Sequence, residues 1–130
     1  MTSLQAAALW VGLNAFLLIF LSAQVGVARA KYKINLGHDG NLEMLKRARA
    51  QGNYIEYAPA ALGGLILLAL LNVAPLFIHL LGATFLGARI LHFLGLGMGV
   101  MKAGRALGTM LTMVVLLLTG GALIYFAFFG

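Results

Sequence analysis

Arg47-Ala-Arg-Ala-Gln-Gly-Asn-Tyr-Ile-Glu-Tyr57 runs without a break into Ala58-Pro-Ala-Ala-Leu-Gly-Gly-Leu-Ile-Leu-Leu-Ala-Leu-Leu71, a polar head on an apolar body. On a helix Arg49, Asn53 and Glu56 stand at i, i+4 and i+7, so a cation, an amide and a carboxylate share one face. The body that follows is long enough to enter a membrane. Polar groups at the edge of a bilayer core are costly and for that reason usually functional. The stretch therefore reads as half of a binding site for a charged ligand, carried on a membrane helix.

The rest of the chain has the same character. With 130 residues it is one domain, residues 1–130. Its 62% apolar and 9% charged residues, with a mean hydropathy of +1.00, exclude an ordinary soluble domain. Uncharged runs cover residues 1–28, 57–88, 90–101 and 106–130. Since a spanning helix needs roughly 20 mostly apolar residues, the pattern predicts an all-α membrane protein, a bundle of four transmembrane helices. The spans fall at about 4–30, 42–71, 75–96 and 103–129, the third interrupted by Arg89.

The net charge of +6 would suggest nucleic acid in a soluble protein. Here it gives topology instead, and no nucleic-acid partner is expected. Arg29, Lys31, Lys33, Lys46, Arg47 and Arg49 lie in or near the first connection, and Lys102 and Arg105 in the third. The positive-inside rule puts both connections in the cytoplasm and both termini outside. Membrane lipid is a partner of most loop cations, Lys31, Lys33, Lys46 and Lys102 among them. The absence of cysteine removes disulfides, thiolate metal sites and a protein thiol nucleophile. His38-Asp39 makes a poor metal site, and none is expected. The first span has no basic n-region before it and reads as retained rather than cleaved.

Several local signals fix the elements. Asn41 is the candidate N-cap of the second span, Pro59 sits inside that span, and Pro75 opens the third. Gly95, Gly97 and Gly99 are expected to break the third helix into a short connection. Thr109 and Thr112 share a face with Arg105 and are expected to bond their own helix backbone. At 1.5 Å per residue, Glu56 lies roughly 24 Å from the far end of its span and Arg89 about 21 Å from Pro75. Arg49, Asn53, Glu56, Arg89, His92 and Arg105 thus come to one layer. Three arginines face one carboxylate there, and an anionic ligand is the simplest partner for the surplus. A purely structural alternative pairs Arg89 with Glu56 to tie spans two and three together.

Two motifs carry a resemblance. Arg49-Ala-Gln51-Gly-Asn53-Tyr-Ile-Glu56-Tyr57 followed by Pro59, and Gly87-Ala-Arg89-Ile-Leu-His92 with Arg105 sixteen residues after Arg89, are similar to the membrane-associated proteins in eicosanoid and glutathione metabolism, the MAPEG family. The resemblance covers nearly the whole chain. It implies a homotrimer with glutathione held between neighbouring subunits at the cytoplasmic side. Arg105 matches the arginine that faces the glutathione sulfur and favours its thiolate. Arg49, Asn53, Glu56, Tyr57 and Arg89 match residues that hold the peptide, with the glutamate on its ammonium group. Arg29 is the nearest match to a cation that reaches a ligand carboxylate, and Gln51 and His92 join the wall. The implied activity is a glutathione transferase, and also a peroxidase, acting on an apolar electrophile or a lipid hydroperoxide. The implied location is a bacterial inner membrane.

The chain departs from the pattern at Leu96, where many members have a tyrosine, and at Ala106, where the prostaglandin synthase has a hydroxyl. Prostaglandin isomerase chemistry is therefore not expected. The residues themselves fit the glutathione reading, because that tripeptide has two carboxylates and one ammonium and needs more cations than anions. A cation beside sulfur raises the thiolate fraction. Two alternatives remain at this level. One is a non-catalytic binding or scaffold module that keeps the anion pocket. The other is a small four-span exporter, whose class needs an acidic residue that the first span lacks.

Overall fold

A computed structural model describes residues 1–99 and 101–130. Four helices account for nearly all of them: α1 (Ser3–Tyr32), α2 (Leu42–Leu70), α3 (Pro75–His92) and α4 (Lys102–Phe129). Each is long and apolar enough to cross a membrane. The chain is all-α, with four long apolar helices in one membrane bundle. The helix ends follow local chemistry. Thr2 and Gln5 form a reciprocal capping box on α1, and Asn41 Oδ1 accepts from Met44 N–H at 3.0 Å to start α2. Pro75 occupies the first turn of α3, where a missing N–H costs nothing. Lys33, in the left-handed region at φ 57°, ends α1.

The helices do not pack as a closed square. α1 packs on α2 and α3, and α4 packs on α3 and α2, whereas α1 and α4 make no contact among the described residues. α2 and α3 are therefore the diagonal of the bundle and supply most of its buried residues. The outer helices keep broad apolar flanks, with Phe16 on α1 and Leu117 on α4 both largely exposed. In lipid such a flank is satisfied, because the hydrocarbon is as apolar as the side chain.

Small residues set the close approaches. A side chain at Gly82 would overlap the Trp10 ring, which packs there and donates from Nε1 to His79 Nδ1 at 3.0 Å. Near the middle of the bundle Tyr54 donates its hydroxyl to Asn14 Oδ1 at 3.0 Å, tying α2 to α1. Gly104 and Gly108, four apart on α4, lie against the Leu91 and Ala88 carbonyls of α3. A Cβ at either would collide with backbone, so the pair lets α3 and α4 touch main chain to main chain.

The glycine-rich segment after His92 differs from expectation. It does not break the helix there; Phe93–Gly97 continues α3 as a π-helical turn, closed by Met98 N–H on the Phe93 carbonyl at 3.1 Å. Chain direction changes only further on, at Gly99, whose φ is 67°. The reason is contact. Gly95 lies against the Gly104 and Arg105 backbone at the start of α4, and the wider turn keeps α3 folded while admitting that approach.

Candidate functional site

At the charged end of the bundle α2, the end of α3 and the start of α4 enclose a pocket of about 560 Å³. Arg49 and Asn53 line it from α2, His92 and Leu96 from α3 and its π turn, and Lys102, Arg105, Ala106, Thr109 and Met110 from α4. These residues lie far apart in sequence yet share one end of the bundle, because α2 and α4 enter the layer where α3 leaves it. The volume is within the range typical of small-molecule sites, roughly 300–1,000 Å³.

Beneath the pocket sits Arg89, only 1% exposed. Its Nη2 donates to Asn53 Oδ1 and its Nη1 to Thr112 Oγ1 at 3.3 Å. The Tyr57 ring faces the guanidinium at 5.6 Å, a cation–π arrangement. Among the described residues no carboxylate pairs with Arg89, and its Nε has no hydrogen-bond partner. A buried cation held by an amide, a hydroxyl and an aromatic face keeps its positive field, which extends into the pocket above.

Glu56 is on the rim, not in the lining. Its Oε1 lies 3.4 Å from Arg49 Nη2, with both side chains more than half exposed. The alternative pairing of Glu56 with Arg89 is thus not the one adopted: seven residues along the same helix Arg49 is within reach, and Asn53 already occupies Arg89. Such an exposed pair is weak, about 0–1 kcal/mol, and can open for a ligand.

Arg29 and Gln51 lie elsewhere in the subunit. Arg29 donates from Nη1 to the Ile34 and Gly37 carbonyls at 3.2 and 3.0 Å and so braces the first connection. Gln51 Nε2 donates to Ser22 Oγ on α1 at 2.9 Å. Neither lines the pocket of its own chain. Tyr57 reaches the site through Arg89, while His92 lines it directly and is almost fully buried.

Two participants were not singled out by sequence. Lys102, grouped above with the lipid-facing cations, is a pocket residue, and nothing before the fold distinguishes it from other loop lysines. Thr112 does bond its own backbone as expected, donating to the Gly108 carbonyl at 2.8 Å, but it also accepts from Arg89. Its spacing of seven from Arg105 was the available signal. Thr109 also follows expectation, donating to the Arg105 carbonyl at 2.9 Å while lining the pocket.

The pocket chemistry is therefore donor-rich. Arg49, Lys102 and Arg105 face it, with the Arg89 charge below and one rim carboxylate against them. Leu96, Ala106 and Met110 add an apolar wall. Such a lining can hold an anionic polar molecule beside an apolar one.

Comparison with known proteins agrees with the residue pattern. Residues 7–125 match the model of the family described as MAPEG family. The chain is similar to inner membrane protein YecN of Escherichia coli strain K12, with 29% identity over 91 residues, 70% of each chain. The protein of the same name from strain CFT073 matches equally, 29% over 91 residues. No solved structure matches.

Proposed function

This chain belongs to the MAPEG family, and from that premise we propose that it is a glutathione-dependent transferase of an inner membrane. Glutathione enters as co-substrate, and its thiolate attacks an apolar electrophile. The observation that carries the reading is the convergence of Arg49, Asn53, His92, Lys102 and Arg105, from three helices, on one pocket with a surplus of donors. The ligand has two carboxylates and one ammonium, so Arg49 and Lys102 suit the carboxylates. Glu56 on the rim suits the ammonium. Arg105 is left for the sulfur, where a guanidinium stabilises thiolate over thiol and raises the nucleophile fraction at neutral pH.

The step is a substitution. Sulfur forms a bond to the electrophilic carbon, the leaving group departs with its electron pair, and the thiol proton has already gone to solvent. The apolar wall of Leu96, Ala106 and Met110 suits the electrophile, which enters sideways from lipid. Closeness of the two reactants in a site apart from bulk water supplies much of the rate. Arg29 and Gln51, bonded within the first connection and to α1, would reach a ligand from a neighbouring copy. The homotrimer that the family resemblance implies, with the site between neighbours, would bring them to it; the charged loops are cytoplasmic and both termini outside in this reading.

A second reading has its own observation. Leu96 and Ala106 line the pocket, at positions where the family resemblance gives a tyrosine in many members and a hydroxyl in the prostaglandin synthase, which favours a binding module that keeps the anion site without turnover. Purified protein should conjugate a chlorinated aromatic such as 1-chloro-2,4-dinitrobenzene and lose that activity in Arg105→Ala. Calorimetric heat with glutathione but no conjugation selects the binding module. Absence of heat with either glutathione or its S-methyl derivative removes both.

A further inference from the structure

The hydrogen bonds under the pocket have a direction. Thr112 Oγ1 donates its only proton to the Gly108 carbonyl, so it presents lone pairs to Arg89. Arg89 is donor-only and gives one N–H to Thr112 and another to Asn53. That bond turns the Asn53 oxygen toward Arg89 and leaves the amide NH2 as the group with no protein partner among the described residues. Asn53 also lines the pocket. A residue able to donate or accept is thereby oriented to donate.

We propose that Thr112 and Arg89 are positioning residues which hold the Asn53 amide so that it offers its NH2 to the pocket, making this point selective for a ligand oxygen. The partner is a carboxylate or peptide carbonyl oxygen of the bound molecule. An amine or ammonium is refused there, since donor would meet donor. Arg89 acts from behind Asn53, being 1% exposed and absent from the lining. Its uncompensated charge strengthens the polarity of the amide it holds. The ligand side of the inference rests on the glutathione reading, whereas the orientation of Asn53 rests on the network alone.

The test uses the full chain purified in detergent and titrated calorimetrically with glutathione. Thr112→Val keeps the volume and removes the acceptor; it should weaken binding by about tenfold. Thr112→Ser restores the hydroxyl and should bind within about twofold of the unmodified protein. Asn53→Asp gives Arg89 a carboxylate, so Tm should hold or rise while glutathione binding is lost, because an acceptor then faces an anionic ligand. Full-strength binding by Thr112→Val, or a serine variant as weak as the valine one, overturns the proposal. Absence of heat from the unmodified chain overturns the glutathione reading instead. In that case the network is judged by Tm: losses in Thr112→Val and Asn53→Ala that combine non-additively support it, and simple addition overturns it.

Discussion

At the uncharged end of the bundle Trp10 donates to His79, and Ser3 Oγ donates to the Val73 carbonyl at 2.5 Å. At the charged end Arg89 has, among the described residues, no partner at Nε and no carboxylate, while Arg49, Lys102 and Arg105 face an open volume. Both ends use polar groups on membrane helices. The first spends them on joining helices and fills the space with an indole against Gly82. The second keeps donors in excess of acceptors and leaves room above them. Excess of one polarity beside a cavity, more than polarity itself, separates the site from the scaffold in this protein.

That contrast can be broken most forcefully at Trp10. Trp10→Ala removes the ring that fills the Gly82 contact and should cost about 3 kcal/mol of stability, read as a fall in Tm, with glutathione affinity in the surviving folded protein unchanged. A loss of affinity would show that the two ends are not separable. Arg105→Ala is the mirror experiment. The conjugation rate should fall about 10²-fold, the scale of removing one charge-stabilising donor, with Tm unmoved because no side-chain hydrogen bond or ion pair of Arg105 is present among the described residues. An equal fall in Tm would make Arg105 a structural cation instead. Glu56→Gln is the mildest: an exposed pair contributes under about 1 kcal/mol to stability. Affinity for glutathione should drop severalfold, while affinity for a ligand lacking the ammonium should not.

Much of the architecture could be read directly. Uncharged runs bounded by Arg29, Glu56 and Arg105 mark spans because charges are costly in hydrocarbon, and Arg89 interrupts the third span as a buried cation. Arg49, Asn53 and Glu56 share a face because α2 is regular from Leu42 to Leu70 and periodicity survives folding. What periodicity cannot supply is which helix lies opposite. Thr112 meets Arg89 because Gly108 lets α4 touch α3, and Lys102 lines the pocket as the first residue of α4. Gln51 by analogy and Arg29 as the nearest cation of the first connection are drawn from the family resemblance, yet they face Ser22 and the first connection. Spacing fixes a face, and neighbours decide what that face meets.

Because α1 and α4 make no contact among the described residues and each packs on both α2 and α3, they stand at the far corners of a rhombus whose short diagonal is α2–α3. The subunit's two apolar flanks belong to different helices, so a join of α1 on one copy to α4 on the next would be head to tail, whereas α1 on α1 or α4 on α4 would be isologous. Heterologous joins of that kind either close by rotation or grow without end. Confinement to one plane of lipid with a fixed up and down forbids a rising helix. Copies with an apolar flank at each far corner, held in one plane of lipid, would close into a ring if they joined through unlike flanks.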